Sequence, residues 1–174
     1  MQWAAADGGK TVLARFRGDG PPTGLIELTV RSRVFAPHTR GLAHIVVSGF
    51  TIEHGGNQFP DEFWDGGAVS QSGLLGTRAG YRWTIRGNTI RHAKTIGLDV
   101  GDEGGDNEGN QPAPSLLGNH TVVNNTVSDN GGGGIQGSFC TGGGEEFRVH
   151  GGTISFNRVE RNNYLQVPGK GGWR

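Results

Sequence analysis

Residues 83–101, WTIRGNTIRHAKTIGLDVG, and residues 120–137, HTVVNNTVSDNGGGGIQG, are two versions of one pattern. Laid over one another, they set Asn88 on Asn125, Ile90 on Val127, and Gly97-Leu98 on Gly134-Ile135. TISFNRVERNN (153–163) continues the series with Asn157 and Val159, and IVVSGFTIEHGG (45–56) precedes it with Phe50 in the Asn slot. The unit is apolar–x–x–Asn–x–apolar, a polar stretch, then Gly before a further apolar pair. Tandem self-similarity of this kind marks an architecture built by stacking.

Each unit is too short and too β-branched for a helix. TVLARF, LIELTV, HIVVSGFTI, WTIRGNTI, HTVVNNTV and GTISFNRV are short runs bounded by Gly, Asn and Asp, which is the signature of strands. The 34 glycines follow no triplet period, so they mark turns rather than a collagen-like chain. A repeated strand–turn–strand unit with a recurrent Asn predicts an all-β right-handed parallel β-helix of about five coils. In it, Val, Ile and Leu bury each coil against its neighbours. Asn88, Asn125 and Asn157 are expected at tight turns, because Asn tolerates the left-handed conformation. Their side chains are expected to bond from coil to coil.

Ile52, Ile90, Val127 and Val159 lie 38, 37 and 32 residues apart. A bare coil needs roughly 20–25 residues, so each carries an insertion. The candidates are 57–80, 102–118 and 138–147, and all three are expected on one side of the solenoid. Long loops on a rigid scaffold are where binding and catalysis concentrate.

The chain is read as one domain: residues 1–23 irregular or a first strand, 24–166 coils, and 167–174 the start of a further coil. Net charge is zero, which excludes a dominant nucleic-acid surface. No apolar run approaches a membrane span. Cys140 is alone, so there is no disulfide framework and no Cys-based metal site. RSRVFAPHTR (31–40) is locally basic, and a solvated surface is its plain reading.

Residues 24–166 resemble bacterial right-handed parallel β-helix proteins of the pectate-lyase-like superfamily. The motifs that carry the resemblance are VFAPHTRGLAHIVVSGFTIEHGGNQF, GYRWTIRGNTIRHAKTIGLDVG and HTVVNNTVSDNGGGGIQG. The nearest type is the large β-helix glycosidases of polysaccharide-degrading bacteria, β-xylosidases among them. The resemblance implies a glycoside hydrolase acting on poly- or oligosaccharide, with two carboxylates doing the chemistry. Two alternatives stay open on the same fold: a calcium-assisted polysaccharide lyase and a non-catalytic carbohydrate-binding or surface β-helix. In such relatives the catalytic pair lies on coils further toward the C-terminus. Neither terminus carries a recognisable cap or signal peptide. The expectation is therefore an internal slice of a larger exported enzyme, one that supplies scaffold and part of the cleft.

The candidate chemistry gathers near the insertions. Asp99 falls on a strand, where alternation turns it outward, opposite Leu98 and Val100. Asp102 and Glu103 follow at the mouth of the second insertion, and Asp106 and Glu108 further out. Asp99, Asp102 and Glu103 are candidates for general acid and base or nucleophile. The same oxygens suit Ca²⁺, although EF-hand spacing is absent; a solvated acidic loop is the third reading. No other cofactor is implied. His54, Asn57 and Gln58, with His92 one coil later and His38 and Arg40 on the preceding coil, offer hydrogen bonds to sugar hydroxyls. Trp64 is a candidate stacking platform for a sugar ring, with Phe59 and Phe63 packing its loop. Arg86, Arg91 and Lys94 are the basic groups a lyase would draw on, and no motif singles them out.

Overall fold

The computed structural model describes residues 2–16, 20, 22–57, 72–101, 118–137 and 151–166. Short strands organise into three parallel sheets that the chain visits in turn. The first sheet stacks β3 (Val46–Ser48), β6 (Thr84–Arg86), β9 (Thr121–Val123) and β12 (Thr153–Ser155). The second stacks β4 (Thr51–Glu53), β7 (Thr89–Arg91), β10 (Thr126–Ser128) and β13 (Arg158–Glu160). The third stacks β5 (Gly73–Gly76), β8 (Ile96–Asp99) and β11 (Gly133–Gln136), and Phe35 extends it by a parallel bridge to Leu75. Before them, β1 (Gln2–Ala6) and β2 (Thr11–Arg15) form an antiparallel hairpin around a 3-10 turn at Asp7–Gly9. Among the described residues there is no α-helix. The arrangement is that of a parallel β-helix.

The register is the one the repeat implies. Ile85 pairs with Val47 and Val122, and Val122 with Ile154. Ile90 pairs with Ile52 and Val127, and Val127 with Val159. Leu98 pairs with Ile135 and Leu75. Down to Val122 and Val127 these columns form the core with Leu74, Trp83, Ala93 and Val100, while Ile154 and Val159 in the last described coil are exposed; each fully buried aliphatic is worth about 1.5–3 kcal/mol against exposure. The Gly of the repeated Gly-apolar pair is steric: a Cβ on Gly97 would stand 2.6 Å from Asn130 Nδ2, and one on Gly134 2.7 Å from Val159 Cγ1.

The Asn ladder is present and runs in one direction. Phe50 N–H donates to Asn88 Oδ1 (3.0 Å), Asn88 N–H to Asn125 Oδ1 (3.0 Å), and Asn125 N–H to Asn157 Oδ1 (2.9 Å). Each amide nitrogen returns to a strand carbonyl of the preceding coil: Val47 from Asn88, Ile85 from Asn125, Val122 from Asn157. A second, shorter ladder joins Asn130 to Asn162 at the next corner. The left-handed residue, however, is not the ladder Asn. It is the residue before it: Gly49 (φ 77°), Gly87 (62°), Asn124 (56°) and Phe156 (55°). That residue makes the tight turn, and the Asn, freed from it, faces the stack.

Two further expectations are corrected. LIELTV forms no strand, and Leu25, Ile26, Leu28 and Val30 are exposed. The insertions do not follow the same strand of each coil. GLLG, read as loop, is strand β5, so the first insertion falls between the second and third sheets. Residues 102–117 and 138–150 fall between the third sheet and the next coil. Gly-Leu-Leu-Gly lacks the alternation of a half-exposed strand because it is buried on both faces.

Candidate functional site

Two corners of the solenoid carry the candidate residues. At the corner leaving the second sheet, one residue per coil takes the left-handed conformation: His54 (φ 61°), His92 (57°), Asp129 (56°) and Arg161 (52°). Because the coils are in register, these residues form a column on the outside. The His54 and His92 rings stack with centroids 5.2 Å apart and planes 16° from parallel. Arg161 grips Asp129 with both arms, at 2.7 and 2.8 Å. Beside this column, Arg91 Nε meets Glu53 at 2.6 Å and Arg158 Nε meets Glu160 at 2.8 Å.

The cations decide the state of the acids. Hydrogen bonding from Arg161, then from Ser128, pulls Asp129 down to about 2. Arg91 lowers Glu53, and Arg158 lowers Glu160. A glycosidase general acid needs its pKa raised. All three shift the other way, so this corner can bind and orient but is poorly suited to donate a proton. His54 and His92, expected together, are together here.

The corner leaving the third sheet is built differently. After β5, Arg78 and Ala79 turn with φ of 48° and 57°. Thr77 N–H donates to Asp99 O (3.0 Å) and Ala79 N–H to Gly101 O (2.9 Å), tying this turn to the one below. Arg78 Nη1 donates to the carbonyls of His38 (2.8 Å) and Pro37 (3.3 Å), which fixes its guanidinium. Arg33, Val34, Ala36, Pro37 and Arg78 line a cavity of about 320 Å³. Arg33 and Arg78 were not singled out from the sequence. For Arg33 the one signal was that 31–40 is basic; Arg78 carried none.

Asp99 is not the outward carboxylate that alternation predicts. It is 0% exposed, β8 is buried on both faces, and Asp99 Oδ1 accepts the Gly101 N–H at 2.7 Å. This Asx turn shapes the backbone at the mouth of the second insertion. Asn57 is likewise corrected. It is buried, with Nδ2 donating to Ser72 O (2.8 Å) and Ile96 O (2.9 Å), while Oδ1 accepts the Thr95 N–H (2.8 Å). Its two donors and its oxygen are spent on backbone at a corner, where sugar contact was expected. Arg40 is buried beside the Arg78 turn, where Gly41 N–H donates to Arg78 O, and so supports the corner. His38 is exposed at that corner, away from the His54–His92 stack with which it was grouped. Gln58, Trp64, Asp102 and Glu103 lie outside the described residues, as do Phe59, Phe63, Asp106, Glu108 and Cys140.

His120 was missed. It occupies the slot of Trp83 one coil on, and its Nδ1 accepts the Trp83 N–H at 3.2 Å. Burial pushes its imidazole down to about 4, only partly offset by the carbonyls of Val100 and Gly80. The aligned openings WTIRGN and HTVVNN were the available signal. Among the described residues, no three His, Cys, Asp or Glu side chains converge to hold a metal.

What these coils define is a stacked parallel-β protein with two polar corners. No family model and no curated protein matches the chain. Among solved structures it is similar to XylC in its complex with xylose, with a TM-score of 0.59 and 24% identity over 79% of this chain. The chain spans 23% of the length of that protein. The likeness is one of fold.

Proposed function

We propose that the chain is part of a carbohydrate-active right-handed parallel β-helix of pectate-lyase-like architecture, a glycoside hydrolase whose cleft follows the corner leaving the third sheet. The observation that supports this most is the cavity at that corner, where Arg33 and Arg78 face a space of about 320 Å³. A guanidinium presents several fixed donors, which suits sugar hydroxyls and ring substituents. Ala79, next to the cavity-lining Arg78, donates its N–H to Gly101 O, and Asp102 and Glu103 follow Gly101 in sequence. In this reading Asp102 and Glu103 are the acid and the base or nucleophile, and Asp99 is a positioning residue acting through Gly101. That XylC was solved with xylose makes xylo-oligosaccharides the first substrates to try.

The test is calorimetric binding of xylo-oligosaccharides together with reducing-end release. Arg33→Ala is expected to weaken binding with the fold intact by circular dichroism. Asp102→Asn and Glu103→Gln are expected to abolish turnover while leaving binding. An unsaturated, ultraviolet-absorbing product would replace the hydrolase with the lyase, and binding without turnover in any longer parent would leave a binding module. No binding to any oligosaccharide of a broad panel would end the carbohydrate reading.

A further inference from the structure

Residues 25–31, LIELTVR, have strand composition but no strand partner among the described residues. Leu25 is 89% exposed, Leu28 61% and Val30 80%. Exposed apolar side chains on a segment with unpaired backbone are a template for pairing. The segment is anchored at its far end, where Arg31 O accepts the Gly56 N–H at 2.8 Å. Glu27 and Arg31, both exposed, make no ion pair with a described residue.

The charges select the partner. In a strand, 27, 29 and 31 share one face and 28 and 30 the other. Let a second copy pair antiparallel about a two-fold axis at Thr29. Thr29 then meets Thr29, Leu28 meets Val30, and Glu27 meets Arg31 twice over. Thr–Thr, aliphatic and opposite-charge pairs are each favourable across strands. Moving the axis to residue 28 sets Arg31 against Leu25, and moving it to 27 sets Glu27 against Glu27. In-register parallel pairing opposes like charges at both ends. The register about Thr29 is the one of these that pairs Glu27 with Arg31, over residues 27–31, with Leu25 falling opposite Arg33; it is self-complementary, so it closes at two copies.

We propose that residues 25–31 are a self-association edge through which two copies of this chain pair antiparallel about Thr29. Sedimentation velocity over a concentration series on the full chain tests it. Wild type is expected to dimerise. Glu27→Arg and Arg31→Glu are each expected to weaken the dimer on the order of tenfold or more, because each turns two attractive pairs repulsive. The double variant E27R/R31E restores opposite charges and is expected to dimerise again, with unchanged circular dichroism throughout. A monomer at all concentrations, association indifferent to either reversal, failed rescue by the double variant, or open-ended growth from the coil ends would each overturn the proposal.

Discussion

Replacing Asn125 with Ala removes the middle rung of the longer ladder, and the structure sets the cost. Asn125 Oδ1 accepts from Asn88 N–H and Asn88 Nδ2, both at 3.0 Å. Its Nδ2 donates to Ile85 O and Asn157 Oδ1, both at 2.9 Å, and to Val123 O at 3.1 Å. Some of these groups keep another partner. Asn88 Nδ2 retains Val47 O, Asn157 Oδ1 retains the Asn125 N–H, and Val123 O retains the Gly87 N–H. The Ile85 carbonyl lies in the parallel ladder opposite Val122 and keeps its strand partner. The Asn88 N–H loses the partner just named, in a site where Asn88 and Asn125 are almost fully buried. A buried polar group left without a partner costs about 1–3 kcal/mol, which is the expected loss. Asn157→Ala is the control. It serves the last described rung, which is half-buried, so water can replace what is lost and the expected cost is under about 1.5 kcal/mol. Urea unfolding followed by far-UV circular dichroism, at unchanged m-value, reads both. If Asn125→Ala costs less than about 1 kcal/mol, or no more than Asn157→Ala, the ladder does not hold the coils together as argued.

Two further outcomes are expected. His120 is depressed from 6.5 to about 4 in the folded chain, so the unfolded chain binds the proton first as pH falls. Its contribution is fully present above pH 6.5 and drains as pH drops toward 4, at about 1.4 kcal/mol per unit. Unfolding free energies from urea titrations at pH 7 and pH 5 should differ by about 2 kcal/mol more in wild type than in His120→Asn; equal pH dependence in the two would remove His120 from the account. Phe156 sits at φ 55° with its side chain 86% exposed, in the slot that Asn124 fills one coil earlier. Phe156→Asn should raise stability by about 0.5–1 kcal/mol, since Asn tolerates this conformation and little packing is lost. A lowered midpoint would show that the Phe ring packs in solution.

The stacking itself was legible in the sequence. Ile52, Ile90, Val127 and Val159 pair as the repeat aligned them, because a parallel stack in register demands the same residue type at the same place in every coil. The ladder amides were legible for the same reason. Strand β5 was not, because Gly-Leu-Leu-Gly is buried on both faces and loses the alternation that marks a strand. Missing it moved the first insertion to the wrong corner.

Period-two alternation also misplaced Asp99. It assumes one dry face and one wet face, and β8 has two dry ones. Asn57 likewise looked like an exposed loop amide, and only its neighbours at Ser72, Thr95 and Ile96 absorb it. The Arg33–Arg78 cavity joins residues 45 positions apart in sequence. A solenoid sequence by itself determines which residues stack, since that is a property of the repeat. What lies at each corner depends on where the chain leaves and re-enters the stack, and only the folded coils decide that.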